Sequence, residues 1–348
     1  MNKINLFFIF LLCVLSIFSC KEDPISDAFP NERIAFLSGI FVTNTGNGTI
    51  SYFDKLNGNI SQNIFQTANE GMSLNTGLNP SVLMDTILWI SNINENKISL
   101  VDPDFMTLRS SFETPFSPRS LIVQNATTAY ITQRDPSISS NDFLTKIDSL
   151  GMVDTTFMTA VHDNTPLISS SVLYLPTGTE EGMDSILTLI RIGVDTIIAD
   201  SIMPAPNPRE LVEQSNNNVW VLCTGRTDAT GNPANGALVH LINRRIDSFI
   251  SIPAGAKNLA ISDDNQYLFY NLSGKVYRQP TANEIRETSP FIDRNYSFLK
   301  IDPNTGDLYG GDVGNGTSNG AIYQHDVETG EEKSSFECGV LPNGIVFK

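Results

Sequence analysis

Basic charge, histidine and cysteine are scarce in this 348-residue chain, and each shortage closes off a class of function. Lys and Arg number 22 against 38 Asp and Glu, a net charge of −16. Nucleic acids are bound mainly by Lys and Arg neutralising phosphates, so no nucleic-acid partner is expected. The surplus of acid reads most simply as solubility. The three histidines, His162, His240 and His325, are isolated, and no Cys/His spacing suits a metal. Also absent are a Gly-x-Ser-x-Gly elbow, a phosphate-binding loop and a dinucleotide fingerprint, so the chain is expected to be non-enzymatic and to carry no cofactor. Long apolar runs are missing too. The longest, Leu6 to Phe18, falls short of the roughly 20 residues that a membrane-spanning helix needs.

That run has another use. Lys3 followed by Leu6 to Phe18 reads as a secretory signal peptide. It ends Ser16-Ile17-Phe18-Ser19-Cys20, which resembles the bacterial lipobox. The resemblance implies lipidation of Cys20 and attachment to the membrane by lipid alone. Lys21-Glu22-Asp23 resembles the surface-export signal of Bacteroidetes lipoproteins, which implies an outer-membrane, cell-surface address. The expected organisation is a signal peptide over 1–19, the lipidated cysteine and a polar tether over 20–32, and one folded unit over 33–348. Cys223 and Cys338, the cysteines outside the N-terminal segment, read as buried free thiols.

What the chain has in quantity is repetition. Ser117-Pro118-Arg119-Ser120-Leu121-Ile122-Val123 has its clearest copy in Asn207-Pro208-Arg209-Glu210-Leu211-Val212, and looser ones recur elsewhere. The apolar anchors Leu83, Leu121, Ile168, Leu211, Leu259, Leu299 and Ile345 are spaced by 38, 47, 43, 48, 40 and 46 residues. A period of roughly 40–50 residues made of strands and turns predicts a β-propeller, here with seven blades of four antiparallel strands. Each anchor begins an inner strand. A second strand opens on an aromatic residue, as at Trp89, Tyr130 and Trp220, and these rings are assigned to packing between blades. Third strands end on Asp54, Asp102 and Asp326, each followed by turn residues, so these aspartates are read as turn formers and not as calcium ligands. The last anchor leaves no room for a further blade, so Gly344 to Lys348 is expected to close the ring as the inner strand of the blade holding residues 39–65.

Phe41-Val42-Thr43-Asn44, then Gly46 to Asp54, Asn63-Ile64-Phe65 and Ala68-Asn69, resemble the opening of a family of Bacteroidetes surface propeller lipoproteins, similar to YncE-like quinoprotein-type propellers. Some members capture cobalamin and pass it to a TonB-dependent transporter. The resemblance therefore implies capture of a nutrient such as a corrinoid, with such a transporter as partner. A structural or adhesive propeller binding protein or glycan, and a calcium-dependent lactonase-like hydrolase, stay open as other readings.

Binding residues are sought on the face that carries the long loops, 134–141, 177–184, 225–236 and 312–319. Arg119, Arg209 and Lys257 hold the same place in their repeats, two before the anchor, and are expected to converge near the axis and hold an anionic group; local pairing with Glu210 or Asp263 is the competing expectation. Arg134 and Arg226 on long loops, and Asn44, Asn92, Gln133 and Asn271 at the ends of second strands, complete the candidate set.

Overall fold

A computed structural model describes residues 35–348 except 136, 138–141, 160–163, 179–184, 193–198, 216 and 228–232. The segments expected to be signal peptide and tether, with Cys20, and His162 lie outside the described residues. Phe36–Lys348 form one compact unit.

Seven antiparallel sheets form the blades, and blades 2 to 7 are each entered by their innermost strand. The seven inner strands are Val82–Met84, Ser117–Asn125, Leu167–Ser169, Pro208–Ser215, Lys257–Ile261, Leu299–Ile301 and Pro342–Phe347, and each contains one of the seven anchors. Blade 1 is the composite one. Pro342–Phe347 pairs with Gly39–Asn44, with Ile345 opposite Val42, followed outward by Thr49–Asp54 and Ile60–Ser61. Joining the last strand to the first removes the exposed edge that an open sheet would leave.

Blade 6 departs from the four-stranded pattern. Its ladder holds Lys257–Ile261, Tyr267–Leu272 and Lys275–Pro280, and the fourth position is reduced to a single bridge between Val276 and Ile292. Proline has no N–H to give a ladder, and Pro280 and Pro290 bracket the segment that would have formed the strand. Arg278 covers the gap, its guanidinium 4.5 Å from the Tyr267 ring and 4.4 Å from that of Phe291.

The core lies between blades. Seven apolar clusters divide one to each junction: Phe41 and Tyr52 with Leu88 and Ile90 join blades 1 and 2, for example, and Ile40 and Ile345 with Tyr309 join blades 1 and 7. Trp89 and Trp220, each 1% exposed, are packing residues as expected. Trp220 stacks on His240 at 4.5 Å and donates to Gln214 Oε1 at 3.0 Å. The aspartates closing third strands form turns. Asp54 Oδ1 accepts from Leu56 N, Asp102 Oδ1 from Asp104 N, and Asp326 Oδ1 from Glu328 N and Thr329 N. Three turn-directed bonds and Lys333 hold the Asp326 carboxyl down to about 2. Cys223 in blade 5 and Cys338 in blade 7 are free and buried, and burial pushes both thiols up.

Candidate functional site

The repeated motif has a mechanical role. At every junction on the loop face, a motif residue of one blade bonds the next blade. Asn343 Nδ2 donates to Leu78 O at 2.6 Å, Asn79 Nδ2 to Pro118 O at 2.8 Å, and Ser120 Oγ to Asn164 O at 3.5 Å. Thr165 N donates to Arg209 O at 3.2 Å. Glu210 accepts from Asn258 N at 2.8 Å and Leu259 N at 2.7 Å. Asn258 Nδ2 then donates to Tyr296 O, and Ser297 Oγ to Pro342 O, both at 2.8 Å. The girdle is closed.

Inside it lies a cavity of about 510 Å³, walled by the inner edges of blades 1, 2, 4, 5, 6 and 7. Val212, Leu259, Ile261, Leu299, Ile301 and Ile345 make the wall largely aliphatic. Phe298 closes one side; it lies across Gly311, where a Cβ would stand 2.3 Å from its ring. Blades 1 and 2 meet as closely at Gly344, whose Cβ would stand 2.6 Å from Pro80. Two ionisable residues face the space, Glu210 and Lys300.

Glu210 owes its position to a β-bulge. In blade 6 the register slips between Lys257 and Ala260, taking the N–H groups of Asn258 and Leu259 off the ladder. Asn258 sits at φ 61°, a left-handed conformation that Asn tolerates. Both freed donors point across the junction, and one carboxylate takes both. Burial pushes the Glu210 carboxyl above its usual range, against the pull of these two N–H groups and of Arg209 and Lys257 nearby. Lys300 contrasts with it. Burial holds its ammonium below the usual lysine range, although water in the cavity reaches the side chain.

Arg119, Arg209 and Lys257 do not line this cavity. The first two are half-buried and stand at register slips of their own, between Pro118 and Ser120 and between Pro208 and Glu210. A bulge re-aims its side chain, and on a strand a shift of one residue exchanges the two faces. The residues next to them, Glu210 and Asn258, face the axis instead. Arg209 runs over Gly178, where a Cβ would meet its Cδ at 2.8 Å, and with Lys257 it serves as local countercharge to Glu210.

The strand-end amides are fasteners. Asn44 is fully buried, donating to Ser51 Oγ at 2.9 Å and accepting from Gly339 N at 3.0 Å. Asn92 donates to Leu74 O and accepts from Asn94 N and Glu95 N. Gln133 bridges Thr145 Oγ1 and Phe116 N, and Asn271 donates to Tyr296 O. Arg134 pairs with Asp142 at 3.7 Å. Arg226 is exposed at the start of a short hairpin, Arg226–Thr227 with Pro233–Ala234. Much of the loops expected to bind lies outside the described residues. The 312–319 loop is described and is closed on itself, with Asn315 Oδ1 accepting from Thr317 N and Ser318 N.

Lys300 was not singled out by its spacing. A signal for it exists: one residue after the anchor, the other blades carry Met84, Ile122, Ser169, Val212, Ala260 and Val346. Lysine is the exception in that column.

No family model matches the chain, and no curated protein matches it. Solved structures do. A quinoprotein alcohol dehydrogenase-like protein from Bacteroides thetaiotaomicron superposes with a TM-score of 0.70 at 13% identity, covering 90% of this chain and 79% of that one. A functionally unknown protein from Desulfotomaculum acetoxidans gives 0.65 at 10% identity, over 89% and 99%. A protein from Lactobacillus plantarum gives 0.64 at 12% identity, over 90% and 100%. The fold is that of a seven-bladed β-propeller.

Proposed function

We propose that this protein is a non-enzymatic, ligand-binding propeller, held at the outer-membrane surface by lipid on Cys20, where it captures a nutrient for a TonB-dependent transporter. The observation that carries the binding role is the axial cavity. Its volume of about 510 Å³ falls within the range of small-molecule pockets, roughly 300–1,000 Å³, and a mostly aliphatic wall with a few polar groups is the usual composition of such pockets. The address rests on the sequence from Lys3 to Asp23. A corrinoid is too large to be enclosed there, so on this reading it lies across the loop face with one substituent entering the mouth. The hydrolase alternative needs a carboxylate cluster for calcium, and among the described residues no three His, Cys, Asp or Glu side chains are grouped to hold an ion.

Thermal unfolding of the purified protein against cobalamins, haem, glycans, small organic acids and calcium tests the proposal. A ligand that binds only the folded state raises the midpoint. The expected result is a shift with a small molecule and none with calcium. Silence for every small molecule overturns the reading in favour of a structural or protein-binding propeller.

A further inference from the structure

Lys300 is a lysine where five of the other six blades carry an apolar residue. Its neighbours Leu299 and Ile301 line the cavity with it, and they also pack into the cluster between blades 6 and 7. Among the described residues nothing accepts a bond from its ammonium, and burial alone perturbs it. The charged groups around it are engaged elsewhere. On its own strand's exit, Asp302 is paired with Lys55 at 2.5 Å. Asp307, at the start of the neighbouring strand, takes Lys333 at 2.6 Å and Gln324. Tyr309 faces it in register as a neutral phenol, pushed up by burial. Across the cavity both oxygens of Glu210 are occupied by backbone N–H groups. Lys300 therefore presents its ammonium to the water in the cavity with no partner from the protein, a charge that an anionic ligand group can take up in place of that water.

We infer that Lys300 is the anion anchor of the axial cavity, and that the ligand is a small monoanion, a carboxylate, carrying an apolar body. This rests on the reading of the cavity as the ligand site. The class follows from the wall. One ammonium matches one negative charge; the polar lining residues Asn258, Ser297 and Asn343 already donate to backbone carbonyls of the girdle, and the aliphatic residues Val212, Leu259, Ile261 and Ile345 would cover a hydrocarbon or aromatic portion. The net charge of −16 disfavours multiply charged anions at long range, while at physiological salt its field is screened over about 8 Å, leaving the local ammonium to decide.

The test uses octanoate and phenylbutyrate with their uncharged amides as matched probes, titrated calorimetrically into wild type, Lys300→Met and Lys300→Arg. Wild type is expected to prefer each acid over its amide by about tenfold or more, the scale of a charge-assisted bond. Lys300→Met should bind acid and amide alike, and Lys300→Arg should keep the preference. Affinity of wild type for the acid should fall as pH rises through the lysine's titration, because only the ammonium holds the anion. Equal binding of acid and amide by wild type overturns the anion anchor and leaves the cavity as a neutral-ligand site, with the proposed function standing. Failure of both acids to bind at millimolar concentration also overturns it. If the wider ligand screen is silent as well, the binding function falls with it. Far-ultraviolet circular dichroism confirms that each variant is folded.

Discussion

Two charges on the wall of one cavity are handled in opposite ways. On the blade 5–6 side, Glu210 is enclosed, but both its oxygens are bonded and two cations stand near it. On the blade 7 side, Lys300 meets only the water of the cavity and has nothing to bond among the described residues. The first charge completes the scaffold: a bulge frees two donors, and the carboxylate ties them to the neighbouring blade. The second adds nothing to the scaffold. Charge in a propeller channel is therefore no index of function by itself; what separates the two residues is whether the protein has already satisfied them.

The largest effect should come from breaking the satisfied side. Glu210→Ala leaves the N–H groups of Asn258 and Leu259 buried without an acceptor. A buried donor left unsatisfied costs about 1–3 kcal/mol, so the expected loss is about 3 kcal/mol, read as a lower urea midpoint with unchanged slope. Glu210→Gln keeps one acceptor oxygen and should lose about half as much. An unchanged midpoint in Glu210→Ala would show that the junction does not depend on this contact, and the contrast with Lys300 would collapse.

The second perturbation alters the cavity without touching either charge. Gly311→Ala places a Cβ 2.3 Å from the Phe298 ring, which must move. Overpacking typically costs 1–3 kcal/mol, so a loss of roughly 1–2 kcal/mol is expected. Phe298 lines the cavity, so binding of octanoate should weaken more than stability alone accounts for. Normal binding with reduced stability would mean that Phe298 does not shape the site.

How much of this could be read from the chain depends on distance along it. The seven anchors, the aromatic second strands and the return of Ile345 to blade 1 were legible, because each blade restates its own pattern within roughly 40–50 residues. The site was less so. Arg119 and Arg209 sit at bulges, and a bulge leaves no mark in the pattern of apolar residues, yet it changes which side chain faces the axis. Counting two back from the anchor selected the cations beside Glu210 instead of Glu210 itself. The strand-end amides looked like binding groups because exposed Asn and Gln often are; their burial depends on incoming loops such as 74–76 and 116, which no local pattern shows. In blade 6 the fourth position is a single bridge, and Pro280 and Pro290, which bracket that segment, mark the place in the sequence.

The smallest effect has an unusual sign. Lys300→Met removes a charge that folding desolvates only in part, its side chain staying open to the water in the cavity, so at neutral pH the variant should be at most slightly more stable than wild type. The folded-state pKa of Lys300 is lowered from the usual 10.5, so between the folded value and 10.5 the unfolded chain holds more protons than the native one. Stability of wild type therefore rises with pH through that window, and the burden of the charge is fully present below it. Urea midpoints of wild type and Lys300→Met should differ most near neutrality and converge as pH approaches about 10. A saturating carboxylate should erase the difference at neutral pH by stabilising only the wild type. If Lys300→Met is instead destabilised at every pH, the lysine stem is packing against the blade 7 wall, and Lys300 belongs with Glu210 as part of the scaffold.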